Sequence, residues 1–161
     1  MARTPCGCCS QSCSGHAGSQ APFALTMLDL DHFKAVNDTH GYLCGDAVLV
    51  AVGQRFREVL RNTDTKYRYG GEGYMVLVPD TPRPGAVQVA DSLRQQIGDL
   101  HVAWKGGEVS VTASVGLTMA QPQDIDPLAI IGRADRALYR AKHSGRNRMC
   151  EAELPEPAEA G

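Results

Sequence analysis

The segment FALTMLDL, residues 23–30, carries apolar side chains at both parities of an extended chain. A strand with one wet face alternates apolar and polar residues. A strand covered on both faces does not need to, so this run predicts an interior strand with helices packed on either side. That requirement points to a layered α/β or α+β domain with a central sheet. The same strand runs into acids, Asp29 and Asp31, two residues apart. A carboxylate at the end of a buried strand is costly unless it is paired, solvated or bound to a cation. From this segment alone, surface acids beyond the strand end and a cation site are equal readings.

The remaining elements follow from periodicity and turn residues. GDAVLVAVGQRFREVLR, residues 45–61, has helical spacing at Val48, Ala51, Val52, Phe56, Val59 and Leu60. TKYRYGGEGYMVLVP reads as strand, glycine turn, strand. PGAVQVADSLRQQIGDL is a second helix, with Pro84 at its start and Gly98 near its end. HVAWKGGEVSVTASVGLTMA reads as strands around the Lys105–Gly107 turn, the second rich in Val and Thr. Asp126 and Pro127 form a cap and first-turn pair for a third helix that Gly145 closes, and RNRMC supplies a short edge strand. The predicted order is β-α-β-β-α-β followed by a helix.

A chain of 161 residues with 43% hydrophobic content suits one ordinary domain. No apolar run is long enough to span a membrane. The net charge of −2 gives no general attraction to nucleic acid. The last 11 residues, EAELPEPAEAG, hold four glutamates and no base, leaving 16 basic against 14 acidic residues before them. This Pro/Ala/Glu segment, 151–161, is expected to be a disordered acidic tail. At the other end, Cys6, Cys8, Cys9 and Cys13 crowd together near His16. Their spacing fits no common zinc motif, so residues 1–21 are read as a disordered Cys/Ser/Gly-rich leader. The cysteine usage suggests no disulfide framework, and a cytoplasmic location is expected.

Chemistry concentrates at the glycine hairpin. A turn after a strand can bring Glu72 beside the tip of the strand that ends at Asp29. Two carboxylates, several waters and substrate phosphates make the kind of site that magnesium prefers. Gly70 and Gly71 would let backbone approach those phosphates with no Cβ in the way.

Three segments together, DLDHFKAVNDTHGYLCGD, RNTDTKYRYGGEGY and ALYRAKHSGRNR, resemble the GGDEF family, the diguanylate cyclases, in order and spacing over residues 23–150. The resemblance implies a palm-like nucleotide-cyclase fold, a five-stranded mixed sheet flanked by helices. It implies condensation of two GTP into cyclic di-GMP with release of pyrophosphate. The implied cofactor is Mg2+ or Mn2+, two ions per active site. One ion would polarise a 3′-hydroxyl and the other steady the triphosphate. Asp29 and Glu72 match the metal-binding and catalytic acids, and Leu30 offers its carbonyl to the same ion. Asn37 and Asp46 match the guanine-reading pair, Asp46 being also readable as a helix N-cap. An aspartate accepts from both the ring N–H and the amino group of guanine, a pattern adenine lacks. Phosphate contacts fall to His32, Phe33, Lys34, Gly70, Gly71, Lys142 and Arg146. Each domain would hold one GTP, so catalysis needs a homodimer. Arg61 and Asp64, with five residues between Asp64 and Gly70, match the RxxD inhibitory site for the product. The arginine that the family adds from the next helix aligns with Ser92, near Arg94, so weaker product binding is expected.

The sequence departs from the pattern in three places. Tyr42 replaces the usual histidine after Gly41, a change that aromatic packing is expected to tolerate. Gly73 stands where the signature has a fourth-position acid, which removes a carboxylate and is expected to loosen the turn. No LTGLxNR-like segment precedes the first strand, so one sheet face is expected to show an apolar patch. The reading is therefore a diguanylate cyclase with impaired activity. The alternative is a degenerate domain that binds GTP or cyclic di-GMP as a sensor.

Overall fold

The computed structural model describes residues 21–154. Along the chain run β1 (Ala24–Leu30), α1 (Phe33–His40), α2 (Tyr42–Val59), β2 (Thr65–Tyr69), β3 (Gly73–Val78), α3 (Arg83–Gly98), β4 (Val102–Trp104), β5 (Gly107–Val109), β6 (Ala113–Met119), α4 (Pro127–His143) and β7 (Met149–Glu151). Five strands form one mixed sheet in the order β2-β3-β1-β6-β7. β1 lies at its centre, antiparallel to β3 and β6, while β7 joins β6 in parallel. The doubly apolar run is thus the middle strand, as its composition predicts.

Register sorts the two faces. Leu28 and Leu30 share a face with Val76, Val115 and Leu117, which meet Val48, Val52 and Phe56 of α2 and Ala90, Leu93 and Ile97 of α3. Leu25 and Met27 face the other way, onto Ile130, Ala134 and Leu138 of α4. The expected apolar patch has a partial counterpart. β2 is exposed along its whole length, Tyr67 and Tyr69 are open to solvent, and Met75 and Leu77 are only half-buried.

α4 is the best-signalled helix. The Asp126 carboxylate accepts from the Leu128 amide at 2.9 Å, with Pro127 in the first turn. Gly145 at φ +115° and the Arg146 amide bonded to the Ala141 carbonyl close its far end in a Schellman arrangement. Arg133 anchors the helix to the preceding loop through two bonds to Asp124, at 2.7 and 2.6 Å. Those bonds hold the Asp124 carboxyl below the usual carboxylate range, against the opposing effect of burial.

Four expectations need correction or extension. The sequence reading has no helix at 33–40, where α1 forms without any side-chain cap and buries only Phe33. α2 begins at Tyr42, three residues before the predicted start, because Tyr42 and Leu43 are exposed and fall off the apolar stripe. Asp46 is therefore inside α2 and is not its N-cap, a position held by Gly41. The strands around Lys105 form a separate two-stranded ribbon, β4-β5, and only β6 enters the main sheet. At the far end, Glu151 belongs to β7, and Ala152 is buried with its amide bonded to the Leu117 carbonyl, so these two residues pack with the domain. The leader before residue 21 and the tail beyond Leu154 lie outside the described residues.

Gly116, at the middle of β6, sets how closely α4 approaches the sheet. A Cβ there would stand 2.3 Å from the Ala134 carbonyl oxygen and 2.3 Å from the Leu138 nitrogen, both backbone. Gly116→Ala is expected to destabilise the domain by roughly 3 kcal/mol, lowering Tm by about 10 °C in calorimetry. Gly53→Ala, on an open surface of α2 with no atom within 4 Å, should instead stabilise by about 0.5–1 kcal/mol.

Candidate functional site

β1 carries Asp29 on its α4 face, paired in register with Gly73 of β3 and Ser114 of β6. One residue before Gly73, the hairpin tip crosses the end of β1. The Leu30 amide donates to the Glu72 carbonyl at 3.3 Å and ties the turn to the strand end. The tip itself is three residues, Gly70, Gly71 and Glu72, closed by the Tyr69–Gly73 pair. Gly70 has φ +78°, a conformation that a side chain would strain.

Two cavities meet at this tip. On the α4 side, a cavity of about 320 Å³ is lined by Asp29, Tyr69, Gly70, Gly71, Glu72 and Lys142, with Asp135 and Leu138 of α4 behind them. On the α2 side, another of about 380 Å³ is lined by Phe33, Lys34, Asn37, Asp46, Arg68, Gly71 and Glu72, with Tyr42 and Leu49. Gly71 and Glu72 are the wall that both share. Asp29 and Glu72 therefore lie on one cavity, and Asn37 and Asp46 on the next, as the sequence pattern groups them.

Other predicted residues are placed less directly. Lys142 reaches across from α4 and donates to Asp29 Oδ2 at 2.6 Å, with both side chains part-buried. Arg146 is exposed in the turn after α4 and lines neither cavity. His32 has a left-handed backbone, φ 55°, and faces a separate groove beside α1. Asp31, read together with Asp29, does not share its surroundings. Asp31 turns inward and accepts from the hydroxyls of Thr112 and Ser114.

Arg61 and Asp64 do meet, but first with each other. The Arg61 guanidinium donates to Asp64 at 3.1 Å and to the Pro79 carbonyl and Thr81 hydroxyl at 3.2 and 2.7 Å. Arg94 points elsewhere, bonding Asp91 at 2.7 Å and Asn147 at 3.1 Å.

Gly73 has a steric role that its sequence position conceals. A Cβ there would lie 2.4 Å from the Tyr69 carbonyl oxygen. The missing side chain thus leaves room for a backbone oxygen close to Gly73. Gly45 of α2 acts similarly beside Asn37, since a Cβ would strike the Asn37 Oδ1 at 1.9 Å. That Oδ1 is buried and has no hydrogen-bond partner among the described residues.

The donor set suits a hard divalent cation. Two carboxylates and backbone carbonyls are oxygen ligands of the kind magnesium takes. Among the described residues no group of three or more His, Cys, Asp or Glu side chains converges to hold an ion alone.

The comparisons with known proteins identify the family. The family model for "Diguanylate cyclase, GGDEF domain" matches residues 9–148. The chain belongs to the GGDEF family. It is 44% identical over 138 residues to diguanylate cyclase VdcA of Vibrio cholerae, covering 83% of this chain and 40% of that protein. Among solved structures, diguanylate cyclase SiaD of Pseudomonas aeruginosa, crystallised with its activator SiaC, matches with a TM-score of 0.78 at 39% identity. That match covers 82% of this chain and 50% of SiaD. The GGDEF domain of DgcB from Caulobacter crescentus, in complex with c-di-GMP, gives a TM-score of 0.78 at 29% identity over 83% of this chain and 79% of that one. The chain spans less than half the length of the curated relatives it matches. No helix among the described residues is long and apolar enough to cross a membrane.

Sequence reasoning missed Arg68. Its Nε and Nη2 both donate to the Gly71 carbonyl, at 2.9 and 2.6 Å, bracing the shared wall from the α2 side. It also stands near Tyr74, whose phenol burial pushes up while the Arg68 charge partly offsets the rise. The signal was present as a cation two residues before the glycine pair, on the face opposite Tyr67 and Tyr69. Arg68→Met keeps length and removes both donors. It is expected to speed exchange of the Leu30 amide, which donates to the Glu72 carbonyl, about tenfold, the worth of roughly 1.4 kcal/mol. Exchange in the rest of β1 and in β6, followed by NMR, should not change.

Proposed function

We propose that this domain condenses two GTP molecules into cyclic di-GMP, releasing pyrophosphate from each. The observation that carries the reading is the shared wall: Glu72 stands between a cavity holding Asp29 and Lys142 and one holding Asn37 and Asp46. A nucleotide laid over the hairpin tip would set its guanine on the α2 side and its phosphates on the α4 side. Asp46 and Asn37 would read the base by accepting and donating at its edge. Gly70 and Gly71 would admit the phosphates, Lys34 and Lys142 would balance their charge, and Arg146, exposed in the turn after α4, would reach the end of the triphosphate. Asp29, Glu72 and the Leu30 carbonyl would hold Mg2+ or Mn2+, two ions per site. A divalent ion bound there supplies Lewis acidity at the phosphate and lowers the pKa of a coordinated hydroxyl.

In each half-reaction, a 3′-oxygen forms a bond to the α-phosphorus of the other nucleotide as the bond to pyrophosphate breaks. One domain holds one nucleotide, so two domains must face each other, and the homodimer is part of the proposal. Arg61 and Asp64 would bind the product away from the site. There the Arg61 guanidinium would exchange its present acceptors for guanine or phosphate oxygens.

Turnover of GTP with Mg2+ by an artificially dimerised form of this chain, read by chromatography, tests the function. Slow cyclic di-GMP formation is expected. Gly73→Ala and Gly73→Glu both force the Tyr69 carbonyl aside, but only the second adds a carboxylate. Gly73→Glu should exceed Gly73→Ala in rate. No product from wild type or from Gly73→Glu would favour the sensor reading, in which the domain binds nucleotide without turnover.

Calorimetry with cyclic di-GMP addresses the second site. Binding by wild type is expected, and Arg61→Ala should reduce it beyond detection. Equal binding by the variant would remove Arg61 from the product site.

A further inference from the structure

Asp31 is a buried carboxylate that the proposed chemistry does not use. Its side chain and backbone join three separate segments. Oδ1 accepts from the Ser114 hydroxyl at 2.7 Å, and Oδ2 accepts from the Thr112 hydroxyl at 2.7 Å and the Asn147 amide at 3.0 Å. Its own amide donates to the Thr112 carbonyl at 2.8 Å. The residue is 5% exposed and Ser114 is fully buried. No cation pairs with Asp31 among the described residues, so these three donors carry its desolvation.

The segments it joins share an unusual backbone. Five non-glycine residues among those described have positive φ, and three of them adjoin this knot: His32 at 55°, Arg146 at 61° and Asn147 at 45°. Left-handed backbone costs a side-chain-bearing residue about 1–2 kcal/mol, and two in succession persist only where surrounding contacts fix them. Here the fixing contacts are identifiable. Asp31 holds the Asn147 amide, Arg94 donates to the Asn147 side chain at 3.1 Å, and the Arg146 amide bonds the Ala141 carbonyl. Lys142, at the start of the same turn, is already committed to Asp29.

We propose that Asp31 is a positioning residue for the triphosphate. By gripping the Asn147 amide, it holds the Gly145–Asn147 turn in the left-handed course that sets where the Arg146 side chain leaves the backbone. The inference rests on the proposed reading of Lys142 and Arg146 as phosphate contacts. A carboxylate suits this task although the ligand is anionic. Its two oxygens accept from three donors at once, and it is buried and lines neither of the two cavities at the hairpin tip.

The test compares affinities for α,β-methylene-GTP, whose P–CH2–P bridge cannot be cleaved, and for GMP, both with Mg2+, by calorimetry on the full chain. Wild type should bind the triphosphate at least tenfold more tightly than GMP. Arg146→Ala should cut that ratio by about tenfold. Asp31→Asn should cut it about threefold to tenfold with GMP affinity unchanged, and the double variant should lose no more than Arg146→Ala alone. Thr112→Val, which removes one donor at constant volume, should act in the same direction and more weakly. It replaces Asp31→Asn in the cycle if that variant does not fold. Equal losses for both ligands, or losses that add to those of Arg146→Ala, would overturn the positioning role alone. A wild-type ratio near one, or no effect of Arg146→Ala, would overturn the phosphate reading and this inference with it.

Discussion

Everything in the site depends on β1 being covered on both faces. A central strand with Leu28 and Leu30 against α2 and α3, and Leu25 and Met27 against α4, has no freedom to slip in register. A shift of one residue would send Asp29 from the α4 face into the α2–α3 core and Leu28 out of it. Burial of the apolar part thus fixes the placement of the polar end. The fixed end then serves as a platform for elements that are weakly held by themselves, among them an eight-residue α1 without a cap and a fully exposed β2.

The hairpin tip shows how a weak element becomes ordered. Isolated glycine turns are loose, because glycine loses more backbone entropy on folding than other residues. This turn is braced from two sides, by Arg68 on the Gly71 carbonyl and by the Leu30 amide on the Glu72 carbonyl. Gly73 admits the Tyr69 carbonyl where a Cβ would stand. The absent acid at that position and the approach of a neutral backbone oxygen are one structural fact, and its cost is a carboxylate.

The sheet and its three long helices were legible because their signals are local. Parity in β1, the apolar stripes of α2 and α3, and the Asp126–Pro127 start of α4 each act within a few residues. α1 was not legible, since its only buried residue is Phe33 and its polar sequence has neither stripe nor cap. The grouping of Asp29 with Glu72, and of Asn37 with Asp46, was legible through the family pattern. Arg68 and Asp31 were not, for a shared reason. Their partners are a backbone carbonyl in one case, and two hydroxyls and a backbone amide in the other. Backbone groups leave no trace in sequence, and Thr112 and Ser114 lie more than eighty positions from Asp31. Spacing also misled for that pair of acids. The two-residue repeat that would place Asp31 beside Asp29 ends with the strand at Leu30.

The Asp29–Lys142 pair explains how such a site can stay folded and still receive a highly charged ligand. A part-buried carboxylate without a partner would carry a desolvation cost, and so would the lysine. Paired at 2.6 Å, each satisfies the other. On the proposed reading, a nucleotide brings both a phosphate for Lys142 and a cation for Asp29, so the pair separates only as two new pairs form. Neither charge need be exposed unpaired to the cavity at any stage. On that reading a cation without the phosphates would displace Lys142 from Asp29 into water, with no new anionic partner gained. On the proposed reading, nucleotide and metal would thus be coupled through one side chain, with Lys142 disfavouring the ion alone and favouring the two together.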